Sequence, residues 1–117
     1  MNSTLDTPVT KHVYSDGSEC PRNHCVQIDN VVDTFQILFH DQHDAADLKT
    51  VMQQFHDVVD VVDDHDKRFI VRIRSMPKLT SGRQRGLDAD SVRHIFNPFY
   101  PITSIAHTFC LVVARKP

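Results

Sequence analysis

Cysteine and glycine are scarce in this chain of 117 residues, three of each, and tryptophan is absent. An odd cysteine count, behind an opening Met1-Asn2-Ser3-Thr4-Leu5-Asp6 with no basic or apolar stretch, predicts free thiols and a reducing, cytoplasmic compartment. Glycines at 17, 82 and 86 alone leave no Walker-type phosphate loop. No apolar run approaches the roughly 18–20 residues that span a bilayer, so no membrane segment is expected. A nucleophile elbow, internal repeats and low-complexity tracts are also missing. No cofactor motif is complete and none is expected.

What remains reads as one globular domain. A 40% hydrophobic and 24% charged composition is that of a folded chain, and this length buries a core without disulfide or metal staples. Residues 1–10 are expected to be a flexible leader and 11–117 a single α/β domain. His12-Val13-Tyr14 predicts a short edge strand, closed by the turn Ser15-Asp16-Gly17-Ser18. A second strand is expected over Cys25–Ile28, with a turn at Asp29-Asn30. The alternation of Phe35, Ile37 and Phe39 then predicts a strand over Val31–Phe39.

Asp44 is a good N-cap, and Asp47 suits the first helical turn, where the dipole favours negative charge. Leu48, Val51, Met52, Phe55, Val58, Val59 and Val62 recur at three- and four-residue steps. Together these predict a helix from about Ala45 to Val62, with Asp63-Asp64-His65-Asp66 as its polar exit. Phe69, Val71 and Ile73 mark another strand, and Ser75–Leu87 reads as a loop punctuated by Pro77, Gly82 and Gly86. Asp88 caps a second helix carrying Val92, Ile95 and Phe96, which Pro98 stops. Ala106–Ala114, apolar on both faces, predicts a central strand. The resulting expectation is an α/β fold: an N-terminal hairpin followed by β-α-β-α-β, in a mixed sheet with a parallel core.

Charge is divided along the chain. Residues 1–66 hold 3 Lys+Arg against 13 Asp+Glu, and residues 67–117 hold 10 against 2. Such a split suits an anionic partner, self-association, or two solvated faces that attract each other. The basic residues concentrate in Arg72, Arg74, Lys78, Arg83 and Arg85, around a glycine-bearing segment with Ser81 that can cradle a phosphate ahead of a helix N-terminus. Thr80 and Ser81, beside arginines, are candidate modification sites. Cys20, His24 and Cys25 supply thiol and imidazole ligands for one metal knuckle. His40 and His43, alternating with Asp41 and Asp44 at a strand's end, can supply a metal or acid/base pair.

Asp47–Val62, Phe69–Ser75, Thr80-Ser81-Gly82 and Val92–Ala114 together resemble the βαβαβ body of the STAS/SpoIIAA-like domains. That resemblance implies a small regulatory and interaction module, with Ser81 nearest to the serine phosphorylated in anti-sigma-factor antagonists. A second resemblance is to the histidine-kinase-type (GHKL) ATPase fold. Asp47–Val51 with Phe55–Val59 looks like the helix of its N box, and Ile95–Tyr100 like its F box. Leu111–Lys116 looks like the helix after its last glycine box. Because the Asp-x-Gly-x-Gly element is missing, this implies a degenerate relative that does not bind ATP in the usual way. The leading expectation is a non-enzymatic regulatory domain with a protein partner, or a homodimer through acidic and basic complementarity. The competing expectation is an anionic-ligand module, for nucleic acid or phosphate, using Arg72, Arg74, Lys78, Ser81, Arg83 and Arg85. A third is a small metal-dependent enzyme at His40 and His43.

Overall fold

The computed structural model describes residues 8–21, 27–76, 78–80, 83–85 and 87–116, with 78–80 and 83–85 described by backbone alone. Strand β1 (Val9–Tyr14) comes first, then the long β2 (Ile28–Phe39), helix α1 (Ala45–Met52), β3 (Asp57–His65) and β4 (Arg68–Ser75). A short hairpin of β5 (Lys78–Thr80) and β6 (Arg83–Arg85) precedes α2 (Ala89–Phe96) and β7 (Ile102–Ala114). Five strands form one sheet in the order β1-β7-β2-β4-β3.

The core forms on one side of this sheet. Alternate residues of β2 point inward, so Phe35, Ile37 and Phe39 meet Phe69, Val71 and Ile73 of β4 and Val58 and Val61 of β3. Leu48 and Met52 of α1, with Ala89, Val92 and Phe96 of α2, close over them in the same cluster. Asp44 accepts a hydrogen bond from the Asp47 N–H (3.2 Å), and Asp88 accepts one from Ser91 (2.8 Å), so both expected caps are made. The Lys116 ammonium and the hydroxyl of Ser18 hold the Asp16 carboxyl well below the usual carboxylate range. The 2.7 Å Asp16–Lys116 contact ties the turn after β1 to the exit of β7.

The α/β class, the single domain and the mixed sheet match the sequence expectation, but the connectivity differs. Only β1 and β7 run parallel; β2 pairs antiparallel with both β7 and β4, and β4 antiparallel with β3. The expected parallel core is therefore a single parallel pair at one side, and β1 sits at the edge without forming a hairpin with β2. Strands β2, β3, β4 and β7 with the two helices make the split βαβ, or ferredoxin-like, plait, in which each crossover returns two places away in the sheet.

The long helix accounts for this difference. It ends at Met52, with Gln53 as its C-cap, and residues 57–65 are strand β3. Val58, Val59, Val61 and Val62 fit a helical stripe by spacing, yet their branched β-carbons favour a pleated surface, and the hairpin with β4 gives them one. A bulge between Val58 and Asp60 lets Val58 and Val61 both face inward. Asp66, at φ 53°, supplies the left-handed residue of the β3–β4 turn, which aspartate tolerates.

Other boundaries moved less. Asp29 and Asn30 lie inside β2 beside a register shift, and Ile28, the end of the expected second strand, begins β2. Val9 and Thr10 of the expected leader belong to β1. The expected loop after Ser75 contains the β5–β6 hairpin. If the core lies on the helical side alone, Phe69→Ala will cost about 3–5 kcal/mol in urea unfolding. Val62→Ala, at a side chain 46% exposed, will cost under ~1 kcal/mol.

Candidate functional site

One position on the inward face of β2 is not apolar. Between Val31 and Phe35 stands Asp33, 1% exposed. A carboxylate there is costly unless donors surround it. Oδ1 lies 2.8 Å from Nε2 of His107, and Oδ2 accepts the Leu87 N–H at 3.0 Å. Across the β2–β7 ladder the register places Cys110 directly opposite Asp33, whose charge bears on the thiol. His107 and Cys110 are three apart, so strict alternation would put them on opposite faces. Thr34 pairs with Phe109 but Phe35 with His107, so Thr108 is an extra residue in β7 that brings both to the inner face. The His107 ring stacks on Phe35 at 4.6 Å.

This Asp–His–Cys grouping has the composition of a nucleophilic site and the geometry of an anchor. Burial, reinforced by the charge of Asp33, pushes the Cys110 thiol up to about 12, whereas a nucleophile must be a thiolate. The imidazole that would take its proton is engaged by the Asp33 carboxylate through Nε2. What the carboxylate fixes instead is Leu87, the residue between the β5–β6 segment and the α2 cap. Asp33 and His107 were not found from sequence; the available signal was a lone aspartate in an otherwise apolar alternation.

Among the described residues no helix lies on the opposite face of the sheet. Along it lie Val32, Thr34, Gln36 and Leu38 of β2; Ile70, Arg72 and Arg74 of β4; Phe109, Leu111 and Val113 of β7; and Asp57, Asp60, Val62 and Asp64 of β3. Arg72, Arg74 and Asp64 are bonded across the strands, while Arg68, in register with Leu38, shares the face without an ion pair among the described residues. Arg72 Nη2 is 3.0 Å from Asp60 Oδ2, Arg74 Nη1 is 3.2 Å from Asp57 Oδ2, and Gln36 Nε2 donates to Asp64 (3.2 Å).

The expected site residues do not assemble as one site. Arg72 and Arg74 sit on the uncovered face in these ion pairs. Lys78, Arg83 and Arg85 belong to the β5–β6 hairpin, whose side chains are not described, and Ser81, His24 and Cys25 lie outside the described residues. Cys20 is disulfide-bonded and 3% exposed, which corrects the expectation of free thiols and removes that argument for a reducing compartment; Cys110 is the free, buried thiol. His40 is exposed, while His43 packs its ring edge-on against Tyr100 (4.7 Å) and Phe39 (5.3 Å). Among the described residues no three His, Cys, Asp or Glu side chains converge as metal ligands. No described helix is long and apolar enough to cross a membrane.

If the buried carboxylate is an anchor, Asp33→Ala will strand the Leu87 N–H and the His107 ring nitrogen and cost about 3 kcal/mol or more in urea unfolding. Folded protein will leave Cys110 unreactive to a thiol reagent at neutral pH, and denaturant will release it. Because the thiol is raised in the fold from 9.0 to about 12, its contribution to stability is complete below pH 9.0 and is lost as pH rises through about 12. Compared with protein-family models, curated proteins and solved structures, the chain matches none.

Proposed function

We propose that this chain is a non-enzymatic protein-interaction domain that binds through the uncovered face of its sheet. One observation carries the reading: a five-stranded sheet with both helices on one side, whose other side is a half-buried, largely apolar surface on which Arg72 and Arg74 are paired with Asp60 and Asp57. Such a surface suits a protein partner, because desolvating it leaves few unpaired charges. A regulatory role of this kind is also what the resemblance to STAS domains implies.

The same pairing weakens the anionic-ligand reading. Arg72 and Arg74 are each within 3.2 Å of an aspartate, so they offer little net positive charge to a phosphate. On the three inner strands the uncovered face carries a single aromatic ring, Phe109 of β7, so a nucleic acid has one stacking platform there and not a series of them. For a metal-dependent reaction at His40 and His43, no third ligand converges on them among the described residues.

The test compares immobilised wild type with Thr34→Arg on the uncovered face and with Arg83→Ala/Arg85→Ala on the hairpin. The reading expects one stoichiometric protein to be retained by wild type and the hairpin variant, and lost on Thr34→Arg with unchanged circular dichroism. Retention that ignores Thr34→Arg overturns it, as does a salt-dependent nucleic-acid complex that only the hairpin variant abolishes.

A further inference from the structure

Granting that the uncovered face is the binding surface, we infer that its occupant is a second copy of this chain, packed sheet to sheet about a two-fold axis running along β2. β2 is the middle strand of five, so such an axis lays β4 over the partner's β7 and β3 over the partner's β1 while keeping each residue at its own height. The registers then fix what meets what. Residues paired across a ladder share a face, so Lys11, in register with Leu111, joins the uncovered side in the row Asp57–Arg74–Val32–Leu111–Lys11. Under the two-fold, Asp57 comes opposite Lys11 of the other copy and Val32 opposite its own equivalent.

The next row repeats the match with different chemistry. It runs Asp60–Arg72–Thr34–Phe109–Val9, so each Arg72 comes over the other copy's Phe109, a cation–π pairing, and Val9, 67% exposed, is covered. In the row beyond, Ile70 meets Ala106 and Gln36 meets Gln36, two amides that can bond each other. Asp57 therefore meets Lys11 at the rim of one row and Asp60 meets Val9 in the next, while Val32, Thr34 and Gln36 each meet their own equivalents at the centre. The face measures about 24 Å across five strands and about 26 Å along them. That is roughly 600 Å² per copy and about 1,200 Å² for the pair, the lower end for a stable complex.

Sedimentation equilibrium of the purified chain at ~50 µM tests this. Wild type is expected as a dimer. Thr34→Arg places two like charges together near the axis, and is expected to weaken the dimer about tenfold or more with circular dichroism unchanged. Lys11→Asp and Asp57→Lys are each expected to weaken it alone. Mixed, they are expected to restore it, because both cross-copy contacts in the mixed dimer are again opposite in charge. A monomeric wild type, a dimer indifferent to Thr34→Arg, or a mixture that fails to recover overturns the inference. A monomer that still retains a different protein through the face overturns the inference and leaves the interaction reading standing.

Discussion

Strand β2 has two faces with incompatible duties, and the rest of the molecule is arranged around that constraint. Inward, Val31, Phe35, Ile37 and Phe39 are almost completely removed from water, with Phe35, Ile37 and Phe39 beneath the helices and Val31 against Cys110 and Val112. Fully burying one such side chain is worth about 1.5–3 kcal/mol, so the four outweigh any single polar contact in the fold. Outward, Val32, Thr34, Gln36 and Leu38 have no covering layer. Because the side-chain period of a strand is two, a slip of one residue would exchange these sets, so the register that builds the core also defines the uncovered surface.

Asp33 is the exception on the inner face, and its cost is offset by where its bonds go. Its partners come from β7 and from the residue ahead of α2, 74 and 54 positions away in sequence. The carboxylate therefore joins three parts of the chain that apolar packing alone would hold less specifically. It also separates the main core from the smaller cluster of Val31, Cys110 and Val112. A buried polar group used in this way selects one arrangement more than it adds stability.

How much of this was legible follows from the range of each signal. The alternation of Phe35, Ile37 and Phe39, the caps at Asp44 and Asp88 and the stop at Pro98 are local, and each matched the fold. The valines after Phe55 carry a local signal that is ambiguous: their spacing satisfies a helical stripe, while their branching favours a strand. Reading them as helix removed β3 and turned a split crossover into a simple one, so a parallel core was expected where antiparallel pairing occurs. The Asp33–His107 contact depends on a bulge at Thr108 and on long-range pairing, neither of which has a local signature. Arg72 and Arg74 were recognised as a basic pair, but their neutralisation depended on the missed strand.

The division of charge along the chain has its explanation in the same hairpin. The acidic half ends at Asp66 and the basic half begins at Lys67, which is where β3 turns into β4. Folding antiparallel at that point brings Asp57 and Asp60 beside Arg74 and Arg72. Exposed pairs of this kind contribute only about 0–1 kcal/mol each, so they do not account for the stability of the fold. Their effect is on pairing. A shift of one residue would turn these charges toward the inner face, and a shift of two would move each arginine off its aspartate. Part of the charge split that first suggested an anionic partner is thus met within the domain, where Arg72 and Arg74 pair with Asp60 and Asp57.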